Sequence, residues 1–264
     1  MRIAAIGDPH GHVEKIENIP LNDADLALIT GDLGQADAVK KLALQYLGPD
    51  GRKSLKHGPR AEDFRHAFMK SYNSALEVVE HIARFCPVFT IRGNADLSND
   101  DIRKFSRLFD TRLPFLYDSL KEMHNVRLID NVLALFHGAR IGGIKYFTDV
   151  SWVEEFELAG IDKIKRRATV ETAKTLRILE RFSDVDILVT HVPPYGILDT
   201  VGYTGMPPGW RGRHAGSRTI LEYVMERQPR YVLCGHIHEG EGKAKQGNSE
   251  IYNLGVAGYK ILEL

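Results

Sequence analysis

The chain is poor in cysteine. Its 264 residues include only Cys86 and Cys234, and neither belongs to a Cys-x-x-Cys pair. A disulfide-stapled fold and a closed thiolate zinc site are therefore excluded, and two buried free thiols in a reducing compartment are expected. No apolar run is long enough to cross a bilayer, so no membrane partner is expected. No signal peptide is visible either: Met1-Arg-Ile-Ala-Ala-Ile6 runs straight into a strand, which points to a cytoplasmic protein. Excess charge is absent too. A formal net charge of +0 gives no broad attraction to nucleic acid or anionic membrane. Internal repeats and low-complexity segments are lacking.

What is present is an ordinary globular composition, 43% hydrophobic and 27% charged, enough to bury a full core. Short continuous apolar runs occur at residues 2–6, 26–30, 88–91, 185–190 and from Tyr231, as expected for strands buried on both faces. Helical stretches lie between them. Ser74 to Arg84 carries Leu76, Val79 and Ala83, and Val170, Ala173, Leu176, Leu179 and Phe182 form a stripe expected to face the core. The segments Val126–Ile129, Leu133–Phe136 and Arg140–Ile144 read as antiparallel hairpins, and Ile251–Leu254 with Tyr259–Leu264 as another pair. An α/β fold of two mixed β-sheets packed as a sandwich and flanked by helices fits this order. A single domain over residues 1–264 is expected, with surface insertions near 48–62 and 201–216.

The apolar runs share an ending. They deliver Asp8 and His10, Asp32, Asn94, His191, and His236 with His238, usually beside a glycine that lets the backbone turn. In open α/β sheets ligands gather beyond the carboxyl ends of strands. Residues two apart in extended chain point to one side, so Asp8/His10 and His236/His238 can each aim at one place. Carboxylates, an amide oxygen and imidazoles without thiolate suit Mn, Fe, Co, Ni or Zn in a catalytic site. Seven ligands exceed one tetrahedral ion and suit two divalent ions sharing a carboxylate, an arrangement that clamps both oxygens of an in-line phosphoryl displacement.

The order Asp-x-His, Gly-Asp, Gly-Asn, His and Gly-His-x-His resembles the calcineurin-like metallophosphoesterase superfamily. Thr190-His191-Val-Pro-Pro194, Gly235-His-Ile-His-Glu-Gly240 and Asn253-Leu-Gly255 are similar to its small prokaryotic branch. The resemblance implies a four-layer sandwich in which Asp8, His10 and His238 hold one metal. Asn94, His191 and His236 would hold the other, and Asp32 would bridge them. It also implies hydrolysis of phosphate esters by a metal-bridging hydroxide, with manganese among the candidate ions.

The sequence departs from that family in one place. Where members carry Gly-Asn-His, with the histidine near the leaving-group oxygen, this chain has Ala95 followed by Asp96. A methyl group cannot donate a proton, and general acid catalysis is worth roughly 10²–10⁴-fold. Phosphodiesters are therefore expected over monoesters. Asp32, Asn94 and Asp96 are the expected catalytic residues, with His12 and His214 as substitutes for the missing acid. Arg211, Arg213 and Trp210 are the expected substrate contacts. The substrate would be a small phosphorylated molecule, a nucleotide among the candidates, with nucleic acid disfavoured and a homo-oligomer compatible with the chain. A low-turnover, metal-bearing scaffold or regulatory subunit of the same fold is the alternative reading. His137 is expected in a hairpin turn.

Overall fold

Alternation within the short apolar runs decides the architecture. In β1 (Arg2–Ile6), Ile3 and Ala5 face one side and Ala4 and Ile6 the other, and all four are fully buried. In β2 (Leu26–Ile29), Leu26 and Leu28 oppose Ala27 and Ile29 in the same way. Strands buried on both faces need cover on both, which two stacked sheets with outer helices supply. The computed structural model describes residues 1–47, 60–156, 161–202 and 208–264. The expected insertion near 48–62 therefore lies mostly outside the described residues, as do His57 and part of the 201–216 segment.

One sheet is built on β1 and β2, followed by β3 (Val88–Thr90) and β4 (Val126–Leu128). The other contains β5 (Val132–Phe136), β6 (Ala139–Ile144), β7 (Ile187–Thr190), β8 (Tyr231–Cys234), β9 (Gly242–Gln246) and β10 (Ser249–Asn253). A final strand, β11 (Tyr259–Glu263), returns to the first sheet. The orders are β11-β1-β2-β3-β4 and β5-β6-β7-β8-β10-β9. Both sheets are parallel at their centres; the second has antiparallel strands β5 and β9 at both edges, and the first has antiparallel β11 at one edge and parallel β4 at the other.

The helices are α1 (Val13–Ile16), α2 (Asp37–Leu47), α3 (Ala61–Ala83), α4 (Asn99–Leu108), α5 (Leu116–Glu122), α6 (Val150–Phe156), α7 (Ile161–Leu179) and α8 (Arg218–Arg227). Ile3, Leu28 and Ile91 meet Ile141, Val189 and Leu233 in the core between the sheets. Outside the first sheet, Val78, Val79 and Ile82 of α3 and Leu120 of α5 cover Ala4, Ile6 and Ile29. Outside the second, Leu179 of α7 and Ile220 and Val224 of α8 cover Leu188, Val232 and Ile251. The layers are helix, sheet, sheet, helix, the two-sheet architecture expected from the sequence.

Three local expectations are corrected. Val126–Ile129 does not hairpin with Leu133–Phe136: β4 runs parallel to β3 in the first sheet, and only β5 and β6 form a hairpin. Ile251–Leu254 and Tyr259–Leu264 are not partners, because β10 lies beside β8 and β11 beside β1. Closeness in sequence misled here; the chain crosses between sheets at both points. On α7 the three-residue stripe drifts around a 3.6-residue helix. Val170 and Leu176 are exposed, while Ala168, Thr175 and Leu179 are buried.

Candidate metal centre

All the ligand-bearing strand ends of both sheets open on one side of the sandwich. Asp8 and His10 follow β1, Asp32 follows β2, Asn94 follows β3, His191 follows β7, and His236 and His238 follow β8. Two glycines matter for space rather than for turning. A Cβ on Gly93 would lie 2.1 Å from Asp32 Oδ1, and one on Gly235 would lie 2.2 Å from Asp8 Oδ1. The carboxylates rest against bare backbone of the neighbouring strand end. Three of the candidate ligands, His10, Asp32 and His236, have positive φ angles of 46°, 50° and 66°. Such left-handed backbone on non-glycine residues clusters where a site over-determines it.

Two groups of donors converge. In the first, His10 Nε2 and His238 Nε2 stand 3.4 Å apart, and His238 Nε2 is 3.2 Å from Asp8 Oδ2. In the second, Asn94 Oδ1 lies 2.8 Å from His191 Nε2 and 2.9 Å from His236 Nδ1. Asp32 Oδ2 is 3.7 Å from His10 Nε2 and also 3.7 Å from His191 Nε2, midway between the groups. The donor atoms of Asp8, His10 and His238 lie within 4.8 Å of one another, as do those of Asp8, Asp32 and His191.

Thr30 orients two of these donors. Its hydroxyl donates to Asp8 Oδ1 at 2.6 Å, and its carbonyl oxygen accepts from His191 Nδ1 at 2.8 Å. That bond commits Nδ1 as the N–H and turns Nε2 inward, the usual way a ligating imidazole is fixed. Nε2 then faces the amide oxygen of Asn94. Two lone pairs at that distance need positive charge between them, from a proton or a cation. The donor set thus fits divalent ions.

Charge and burial agree with this. Burial acts to raise Asp8, but His191 and hydrogen bonds from His238, Thr30 and the His236 N–H outweigh it and hold the carboxyl down at about 2. Burial raises Asp32, with the Asp8 charge adding to it, although Ala95 N–H donates to its Oδ1 at 2.6 Å. His236 is pushed down to about 3 by burial and by His191, which leaves a neutral imidazole.

The other expected residues separate by position. Asp96 is not free to act as an acid: its Oδ2 accepts from the Asp32 and Gly93 N–H groups, each at 2.8 Å, and its Oδ1 from Leu33 N–H at 3.1 Å. It ties the β2 and β3 loops together, and burial with the Asp32 charge raises it to about 6. Ala95 is buried and, with Ala36 and Val39, lines a separate small pocket of about 30 Å³. His12 lines the main cavity, with Nδ1 2.8 Å from Glu14 Oε1. His214 is held by buried Asp199 at 2.7 Å and lies outside the cavity lining. Arg213 donates to the Glu155 carbonyl, and neither it nor Arg211 lines the cavity. Trp210 does, packed edge-on to Trp152 and against Phe156 with centroids 5.8 and 4.7 Å away. His137 and Gly138, both with positive φ, form the two-residue β5–β6 turn.

The main cavity, about 640 Å³, also contains residues that motif reading missed: Lys40 on α2, Tyr146 after β6, and Trp152. Lys40 acts electrostatically on His10, Asp32 and His236. Tyr146 stands edge-on to His191 and tilted over His236, at 5.8 and 5.4 Å. Neither follows a motif glycine, so only the fold reveals them. Asn253, of the Asn253-Leu-Gly255 stretch noted in the sequence, lies behind this wall: its amide donates to the Leu198 and Ile237 carbonyls at 2.9 and 2.8 Å and pins the His236–His238 turn.

The family model of the calcineurin-like phosphoesterases matches residues 1–240. The human and mouse proteins called metallophosphoesterase domain-containing protein 1 are each 40% identical over 73 residues, 27% of this chain and 20% of theirs. A UPF0046 protein of Caenorhabditis elegans is 37% identical over 71 residues, 27% of this chain and 21% of its own. The chain thus spans about a fifth of the length of these relatives. A solved crystal structure superposes with a TM-score of 0.58 at 15% identity, covering 99% of this chain and 98% of that one, a likeness of fold.

Proposed function

Because the chain belongs to the calcineurin-like phosphoesterase family, we propose that its centre is a dinuclear metal site that hydrolyses phosphodiesters in preference to monoesters. Asp8, His10 and His238 would hold one divalent ion, Asn94, His191 and His236 the other, and Asp32 both. The observation that carries this reading is the place of Asp32 Oδ2, 3.7 Å from one imidazole of each group. When bound, the two ions would acidify a water nucleophile and neutralise the phosphoryl oxygens.

The chain's own residues do the rest. Thr30 keeps Asp8 and His191 aimed inward, and Asp96 fixes the peptide N–H groups beside Asp32. Lys40 supplies a further positive charge at the cavity wall, where a phosphate oxygen would sit. No side chain at position 95 reaches the leaving group, since Ala95 is buried under α2. His12, with Nδ1 held by Glu14 and Nε2 left for the cavity, is the proton donor we favour. With alanine at position 95, where the family carries the acid histidine, diesters with better leaving groups suit this centre. Trp152 and Trp210 would form an apolar wall for the ester's organic group. We read the chain as one domain, since both sheets share one core.

The test is hydrolysis of bis(4-nitrophenyl) phosphate and 4-nitrophenyl phosphate with Mn, Fe, Co, Ni or Zn added. The diester should turn over faster, and Asp32→Asn and His191→Ala should each abolish turnover. Metal-dependent cleavage of neither ester would leave the scaffold reading in its place.

A further inference from the structure

A groove of about 500 Å³ leads away from the centre, lined by Lys145, Arg167, Lys174, Arg177 and Arg181 with a single acid, Glu171. It shares the lining residues Tyr146 and Phe147 with the main cavity, so the two adjoin at these residues. Glu171 is already engaged: it accepts from Arg167 Nε at 2.8 Å and from the Thr148 N–H at 2.9 Å. Among the described residues, no carboxylate pairs with Lys145, Lys174, Arg177 or Arg181. The helix Arg167–Arg177 runs about 15 Å at 1.5 Å per residue, longer than one phosphate needs. Four cations left without acids along one groove, in a chain of formal net charge +0, are a local field that the total conceals.

We propose that this groove binds additional phosphates of a substrate that carries several, placing one of them at the metal centre. This rests on the phosphodiesterase reading and names its substrate class: a linear polyanion of phosphates. Either an oligonucleotide or a polyphosphate chain supplies that chemistry, with Lys and Arg contacting the phosphates and Tyr146 marking the junction with the centre.

The test compares two double variants of equal charge change on α7 and the turn that follows it. Arg177→Glu/Arg181→Glu alters the groove. Lys163→Glu/Arg166→Glu alters exposed residues that lie outside it. Binding of fluorescein-labelled octathymidylate to the Mn-treated full chain is measured by anisotropy across a salt series, with tripolyphosphate as competitor. The groove pair should weaken binding at least tenfold and lower the log–log salt slope by about 1.4, and the control pair should change it less than twofold. Displacement by micromolar tripolyphosphate assigns the site to phosphate chains in general; displacement only by excess octathymidylate assigns it to oligonucleotides. No binding of either probe, or equal losses in both double variants, overturns the groove. These readouts need no turnover, so they stand apart from failure of the phosphodiesterase reading, which would appear as no hydrolysis of bis(4-nitrophenyl) phosphate by the wild-type chain.

Discussion

Thr30 is a buried threonine whose hydroxyl fixes one candidate ligand while its carbonyl fixes another. The donors of the centre are held in this way before any ion arrives, and holding like-charged carboxylates together has consequences that can be measured. Asp8 is depressed to about 2 by His191 and by its hydrogen bonds, against the pull of burial. Its folded value lies below the ordinary 3.8, so its contribution to stability is present above about pH 4 and lost as pH falls toward about 2. Urea unfolding of the metal-free chain at pH 2–5 should show stability falling in that window, and Asp8→Asn should flatten that part of the profile. Lys40 gives a second residue-scale prediction. Lys40→Met should lower kcat/KM for bis(4-nitrophenyl) phosphate on the order of 10²-fold, as removal of a donor to a developing oxyanion does, with metal affinity little changed. Steady-state kinetics and metal titration separate the two effects.

At the scale of elements, the candidate ligands are legible because each closes a strand, and a strand buried on both faces leaves a plain run of Ile, Leu, Val and Ala. Lys40 was not legible. It lies on α2, whose packing against Ala95 and α3 cannot be read from local pattern. The reach of Arg213 was also hidden, because an arginine in a loop looks the same whether it meets a phosphate or, as here, the Glu155 carbonyl. The α7 stripe failed because a three-residue repeat departs from helical period, leaving Leu176 39% exposed while Leu179 is 3% exposed. Leu179→Ala should therefore cost about 2–5 kcal/mol and Leu176→Ala less than about 1 kcal/mol. Chemical denaturation of the two variants checks the difference. The hairpin expectations failed for a related reason: adjacency in sequence does not say which of two sheets a strand joins.

Across the whole molecule, net charge is the least informative quantity, since it averages a basic groove with acidic residues elsewhere in the chain. The two-sheet frame is legible because doubly buried strands need cover on both faces, and the closely spaced strands after residue 126, of which β5 and β6 do form a hairpin, point to a second sheet beside the helices. The strand ends of both sheets supply the centre, so metal binding couples the sheets to each other. Adding Mn at 100 times its Kd should stabilise folding by about 2.7 kcal/mol for each bound ion, about 5.4 kcal/mol for two, seen as a rise in Tm of a single cooperative transition. Asp32→Asn should shrink that rise.

The most direct measurement is turnover of bis(4-nitrophenyl) phosphate by metal-free chain as Mn is added in sub-stoichiometric steps at concentrations well above Kd. A dinuclear centre predicts that activity climbs until two equivalents are bound and then levels off, and that His191→Ala binds one equivalent fewer without turning over. Full activity at one equivalent, or no activity at any Mn ratio or with Fe, Co, Ni or Zn, would contradict it.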